Sequence, residues 1–247
     1  QLISETPQEV RLGVAGQVLL ILDGNPAFKP LDPREAGLFH TAFLMPDRAD
    51  LGKWLGYVVE NKVPMQGASD HLVSEALYLA DPEGNGIEVY TDRPTNRWRD
   101  AKGDIKMSTD QLDMQDLFNS ANGEKWAGYP ENGSIGHVHL QVGSTEMADP
   151  FYQGVIGMEI TAKYHGASFY GSGGYHHQLA GNIWNSRGAG ARNDMMAGLG
   201  NFELIARDTV IEDAILETAE RTGAQITAGT GFAVLQDPWG TQIVLKR

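Results

Sequence analysis

The chain is written to a repeating plan, and a long repeat constrains the fold more tightly than any composition does. Residues 37–64, GLFHTAFLMPDRADLGKWLGYVVENKVP, read as a strand, then Asp47 as a helix cap with Asp50 three residues on. The helix that follows carries Leu51, Leu55, Val58 and Val59 as one apolar stripe. Residues 198–225, GLGNFELIARDTVIEDAILETAERTGAQ, repeat the plan with Asp208 as cap and Gly223 as the C-terminal stop. Both continue through short strands to matching turns, DPEGNGIEVY at 81–90 and DPWGTQIVL at 237–245. A further copy opens at IGHVHLQVGSTEMADPFYQGVIGMEITAKY and runs through GASFYGSGGYHHQLAGNIW. The segment EVRLGVAGQVLLIL, residues 9–22, matches only the closing strand pair of that copy. Its opening strand and helix, roughly two dozen residues, are therefore expected upstream of Gln1.

This organisation predicts an α+β fold of four βαβββ units, the first truncated at its N-terminus. The units pair two by two into cup-shaped, mixed or antiparallel sheets. Edge-to-edge closure protects sheet edges and leaves a concave face for a ligand. The expected boundaries are an N-terminal domain at 1–97, a polar, Gly-containing linker at 98–133 and a C-terminal domain at 134–247.

Composition removes several function classes. A formal net charge of −13 repels phosphate backbones, and no basic stripe interleaves with aromatics, so nucleic acid is not an expected partner. The longest apolar run, Val18 to Leu22, is far too short to span a bilayer, and no signal-type leader opens the sequence. A cytoplasmic location is the default, and self-association is left open. With no cysteine, disulfides, thiolate metal sites and thiol nucleophiles are excluded, so a metal must be held by His, Asp or Glu.

Glu88 raises the chemical question, because it stands among Ile87, Val89 and Tyr90, and a buried carboxylate needs a positive partner. Alternate residues of a strand share a face. If residues 76–80 pair with 87–90 across the DPEGNG turn, Tyr78 and Glu88 point the same way, opposite to Leu77, Leu79, Ile87 and Val89. On the opening strand of this unit His40 shares its face with Ala42, so His40, Tyr78 and Glu88 converge. With a third ligand from the facing unit, His40 and Glu88 make a two-His-one-carboxylate set suited to Fe(II) or Mn(II). The plainer alternative is a hydrogen-bonded core histidine and a rim glutamate. Repeat alignment weighs against it, since Asn201 replaces His40 and Val244 replaces Glu88 in the sister unit, both polar groups being lost together.

The second half offers His137 at the position matching His40, with His176 and His177 on a later strand. With Asn201 and Val244 opposite, this half reads as a degenerate site, and His137 and His177 are its candidate metal ligands. His139 shares a face with His137 and can pair with polar neighbours, while His165 lies in an exposed turn.

The run SDHLVSEALYLADPEGNGIEVYTDRP, with IGHVHLQV and GGYHHQLAGNIW, resembles the vicinal oxygen chelate superfamily, which contains glyoxalases, bleomycin-resistance proteins and extradiol dioxygenases. Within it the chain is most similar to catechol-2,3-dioxygenase proteins of the Bacillus type. The resemblance implies Fe(II) ligated by His40 and Glu88, with the remaining histidine on the first unit's opening strand, upstream of Gln1. It implies that Tyr78, ten residues before Glu88, hydrogen-bonds a substrate oxygen, and that His71 is an acid–base or supporting histidine. The implied reaction is ring cleavage of a catechol- or hydroquinone-like diol by dioxygen. Alternatives on the same scaffold are a glyoxalase-type isomerase or lyase with Zn or Ni, and a metal-free binding protein of the resistance type.

Overall fold

The structure is a computed structural model that describes residues 1–193 and 195–247. It divides into two compact units, one formed by Gln1–Phe28 with His40–His137, the other by Lys29–Phe39 with Val138–Arg247.

In the first unit β1 (Leu2–Glu5), β2 (Glu9–Val14) and β3 (Gln17–Asp23) form an antiparallel sheet. Positive φ at both Ala15 and Gly16 turns β2 tightly into β3, which matches the twist of a hairpin. The expected closing strand pair is thus present, with β1 added to its edge. A complete repeat follows: β4 (Gly37–Met45), α1 (Arg48–Glu60), β5 (Gly67–Asp70), β6 (Ser74–Ala80) and β7 (Gly86–Asp92). Strand β4 runs parallel to β7, and β6 and β5 extend the sheet antiparallel. Asp47 caps α1 by accepting the Asp50 amide, as the sequence predicts. Leu51, Leu55 and Val58 are buried, but Val59 is 64% exposed. At 100° per residue Val59 lies about 80° round the helix from Leu51, off the packed face.

Residues 98–133 do more than link. They form β8 (Asp110–Gln111), paired with β5, and α2 (Met114–Asn119). Leu112 and Leu117 enter the same core as Met45, Leu51, Leu55, Leu77, Leu79 and Val89. The segment reads as polar because its few apolar residues are spaced for burial one at a time.

An ion network ties this unit together. Glu75, buried on β6, accepts from Arg48 Nε at 2.5 Å and from Arg48 Nη2 and Arg93 Nη2 at 3.1 Å, while Arg93 also holds Asp70. Removing one partner of a buried pair leaves charge uncompensated. Glu75→Ala is expected to cost about 3 kcal/mol in urea denaturation, with metal content unchanged.

Two further repeats follow the same plan. The third comprises β9 (Ser134–Gln141), whose first four residues belong to the first unit, α3 (Thr145–Tyr152), β10 (Glu159–Tyr164), β11 (Ala167–Gly171) and β12 (Leu179–Asn182). The fourth comprises β13 (Asn201–Ile205), α4 (Thr209–Thr222), β14 (Ile226–Gly229), β15 (Phe232–Gln236) and β16 (Gln242–Lys246). In each, the opening and closing strands are parallel and the middle pair antiparallel. Asp208 caps α4 through the Ile211 amide and Gly223 ends it at φ 73°, both as expected. The second unit's core joins Leu140, Val142, Tyr152 and Tyr170 with Leu235, Ile243 and Leu245.

The aspartates of the two matching turns are structural. Asp81 Oδ1 accepts the Glu83 and Asn85 amides, and Asp237 Oδ1 accepts those of Trp239 and Thr241. Asp237 also accepts from Tyr152 Oη at 2.8 Å. Burial raises its carboxyl above the ordinary value despite these hydrogen bonds. A folded value above the unfolded one favours the fold below the unfolded value and loses that contribution as pH rises through the folded one. Asp237→Asn keeps the oxygen that accepts the two amides, puts an amide nitrogen opposite Tyr152 Oη, and carries no charge. Urea midpoints across a pH series are expected to show the variant gaining on the parent as pH rises.

Candidate metal centre

The site grows from strand register. Ala42 lies opposite Glu88 between β4 and β7, and Tyr78 lies opposite Glu88 between β6 and β7. His40, two residues from Ala42, therefore shares a face with Glu88 and Tyr78, as the parity of the sequence requires. His40 Nε2 stands 2.9 Å from Glu88 Oε2.

The third donor comes from β9. His137 Nε2 is 3.2 Å from the same Glu88 oxygen and 3.3 Å from His40 Nε2. The sequence sought its last histidine upstream of Gln1 and gave His137 to a separate second-half site; the structure brings His137 together with His40 and Glu88. The repeat equivalence of His137 and His40 stands, but the third repeat has no acid at the position matching Glu88. Ala180 lies opposite His139 as Glu88 lies opposite Ala42. One repeat has His and Glu, the next has His alone, and that complementarity was the available signal.

His177, the other second-half candidate, is elsewhere. Its Nδ1 is 2.8 Å from His176 Nδ1, and its ring packs edge-on against Phe169. His139 Nε2 accepts from Asn182 Nδ2 at 3.0 Å, which is the polar pairing expected of it, and His165 is exposed. Asn201 and Val244 lie on β13 and β16, in the repeat that has neither ligand at the matching positions.

His40, Glu88 and His137 are all buried. Burial alone would raise the Glu88 carboxyl, yet His137 and His40, by charge and hydrogen bonding, hold it well below the usual carboxylate range. An anionic oxygen with two imidazole nitrogens at mutual distances of 2.9, 3.2 and 3.3 Å is a fitting receptor for a divalent cation. Adjacent ligands each about 2.1 Å from one ion at right angles are separated by about 3 Å. Nitrogen and oxygen donors in this number suit Fe(II), Mn(II), Zn(II) or Ni(II), and leave coordination positions open for substrate.

Around the three donors, Tyr90 tilts against the His137 ring at 4.9 Å between centroids, and the His40 and Tyr78 rings lie 5.7 Å apart. Burial, with the Glu88 charge adding to it, pushes the Tyr78 hydroxyl well above its ordinary value, so it keeps its proton at neutral pH. Its oxygen is 2.6 Å from His71 Nε2, and His71 Nδ1 is 2.6 Å from the Ser108 carbonyl. The structure thus places Tyr78 and His71 in contact beside the three donors.

The sequence model of the Glyoxalase/Bleomycin resistance protein/Dioxygenase superfamily matches residues 134–245, the third and fourth repeats. A protein of Bacillus subtilis (strain 168) named catechol-2,3-dioxygenase is 37% identical over 243 residues, covering 96% of this chain and 85% of that one. Among solved structures, a "putative dioxygenase" from Bacillus subtilis subsp. subtilis strain 168 superposes with a TM-score of 0.61 at 13% identity, over 96% of this chain and 71% of that one. The cppA protein of Streptococcus pneumoniae TIGR4 does so with a TM-score of 0.53 at 10% identity, over 100% and 86%. At those identities the two structures speak for the fold alone. The Bacillus sequence relative, matched along nearly the whole chain, carries the assignment: the protein belongs to the Glyoxalase/Bleomycin resistance protein/Dioxygenase superfamily.

Proposed function

We propose that this protein is an extradiol ring-cleaving dioxygenase acting on a catechol- or hydroquinone-like aromatic diol, with Fe(II) held by His40, Glu88 and His137. The observation that carries the reading is the buried triangle of two Nε2 atoms and one carboxylate oxygen. The name of the Bacillus relative supports the choice of reaction. Fe(II) bound there supplies the redox chemistry, acidifying a coordinated diol and activating dioxygen.

The chain's own groups do the rest. Three ligands, from the parallel strands β4 and β7 and from β9, would hold the ion and would leave positions on it for a diol and dioxygen. Tyr78 keeps its hydroxyl proton and faces Glu88, where it can hydrogen-bond a substrate oxygen as charge develops. His71 contacts Tyr78 through Nε2, where it can accept and return the hydroxyl proton as charge develops. Burial of all three side chains would keep water from the side of the ion that they hold.

The test is to load the protein anaerobically with Fe(II), add a panel of catechols and hydroquinones, then admit oxygen. Oxygen uptake with a yellow ring-fission product is expected, and neither across the panel would defeat the proposal. Tyr78→Phe should keep its iron and lose about 100- to 1000-fold in turnover. A glyoxalase-type enzyme or a metal-free resistance-type protein is the alternative. Metal analysis separates the second, and the cluster's single carboxylate disfavours the first, whose ion commonly takes two.

A further inference from the structure

Tyr78 has one hydroxyl proton and two neighbours able to accept it. One is His71 Nε2, at 2.6 Å; the other is the Glu88 carboxylate across the β6–β7 pair. Which of them receives it is decided at the far side of the His71 ring. Nδ1 is 2.6 Å from the Ser108 carbonyl oxygen, which can only accept, so Nδ1 carries a proton. In a neutral imidazole the other nitrogen is then bare. In the resting site Nε2 draws the Tyr78 proton to itself and Glu88 keeps its lone pairs; in turnover the same hydroxyl can turn to a substrate oxygen.

The opposite tautomer would reverse each step. Nε2–H would donate to the Tyr78 oxygen, the hydroxyl proton would swing to Glu88, and that hydrogen bond would draw negative charge away from the carboxylate that the ion needs. We infer that the Ser108 backbone carbonyl is a positioning group for the metal centre: by fixing the His71 tautomer it turns the Tyr78 proton away from Glu88.

The stretch that carries Ser108 is fastened for such a task. Ser108 N donates to His71 O at 3.3 Å, so the two residues are joined in both directions. Just beyond, β8 pairs Gln111 with Ser69 and Asp110 with Asp70, the residue before His71. Just before, Lys106 N donates to Trp98 O, and Trp98 Nε1 donates to Arg93 O. Arg93 grips Asp70 in turn at 2.5 Å. Leu72, at φ 67°, is held in a left-handed conformation unusual for leucine, with its amide on Asp70 Oδ1. The turn that aims His71 is therefore held from both sides.

The proton order does not depend on the reaction, whereas its value to turnover rests on the dioxygenase reading. Nitrogen-15 histidine spectra of the full chain, metal-free and loaded with diamagnetic Zn(II), report the tautomer directly. His71 is expected as the Nδ1–H form, and to remain so in Tyr78→Phe, because Ser108 and not Tyr78 sets it. An Nε2–H form in the parent or in that variant overturns the inference. A double-mutant cycle on Mn(II) and Zn(II) affinity gives a second readout. His71→Leu, which frees the Tyr78 proton to turn to Glu88, is expected to weaken binding about tenfold. His71→Gln, which still offers an acceptor, should restore it, and His71→Leu in the Tyr78→Phe background should bind as Tyr78→Phe does. Equal weakening by His71→Leu in both backgrounds defeats the inference while leaving the metal centre intact. Loss of metal binding by the parent protein would instead strike the proposed function.

Discussion

Glu88→Ala is expected to strip the protein of its ion while leaving the fold in place. The centre has one carboxylate, and it is the atom both imidazoles face, at 2.9 and 3.2 Å. Without it two imidazole nitrogens 3.3 Å apart must hold a divalent cation with no anionic charge in the set. Changes one step outside a metal's ligands already cost 10- to 100-fold in affinity, so loss of this ligand should exceed about 100-fold. His40→Ala and His137→Ala should fall in the same range. His137→Ala is the sharpest of the three, since unchanged retention there would return the third ligand to some other strand. Metal content after dialysis, titration with Mn(II) and far-ultraviolet circular dichroism together separate ligand loss from unfolding. Glu75→Ala makes the contrast: it too removes a buried carboxylate on this sheet, but on the face toward Leu77 and Leu79, and its cost should appear in stability alone.

These contrasts follow from strand parity, the part of the structure most legible in the sequence. Alternation of side chains put Glu88, Tyr78 and His40 on one face, and the register of β4, β6 and β7 bears this out. Helix caps were legible for a similar reason: Asp47 and Asp208 act on amides three residues away. What lay hidden needed contacts distant in sequence. His137 is 49 residues from Glu88, and no local pattern states which strand will lie beside β4. The stretch 98–133 read as a linker because its burial is carried by isolated residues such as Leu112 and Leu117, without a period to detect. Ser108 was invisible for a deeper reason, since the group that acts is a backbone carbonyl, which every residue type supplies equally.

Gly136→Ala should disable the same centre without touching a ligand. A Cβ at this position would lie 1.8 Å from Tyr90 Oη and 2.7 Å from its Cζ, distances no packed pair of atoms can hold. Tyr90 is fully buried and tilts against the His137 ring, so it has no free space into which to retreat. The strain must therefore move β9, and with it the residue next in line, His137. Overpacking of this kind costs about 1 to 3 kcal/mol where neighbours can adjust, and the upper end is expected here. Metal affinity should fall with stability, because His137 Nε2 must stay near 3.2 Å from Glu88 to serve. Adding Tyr90→Phe removes the hydroxyl contact but leaves the ring carbon too close, so the double variant should recover only part of both losses. Gly67→Ala, on β5 with open space where its Cβ would stand, should be near neutral in the same assays. Equal behaviour of the 67 and 136 variants would mean that Tyr90 does not wedge β9, and His137 would then owe its aim to the strand alone.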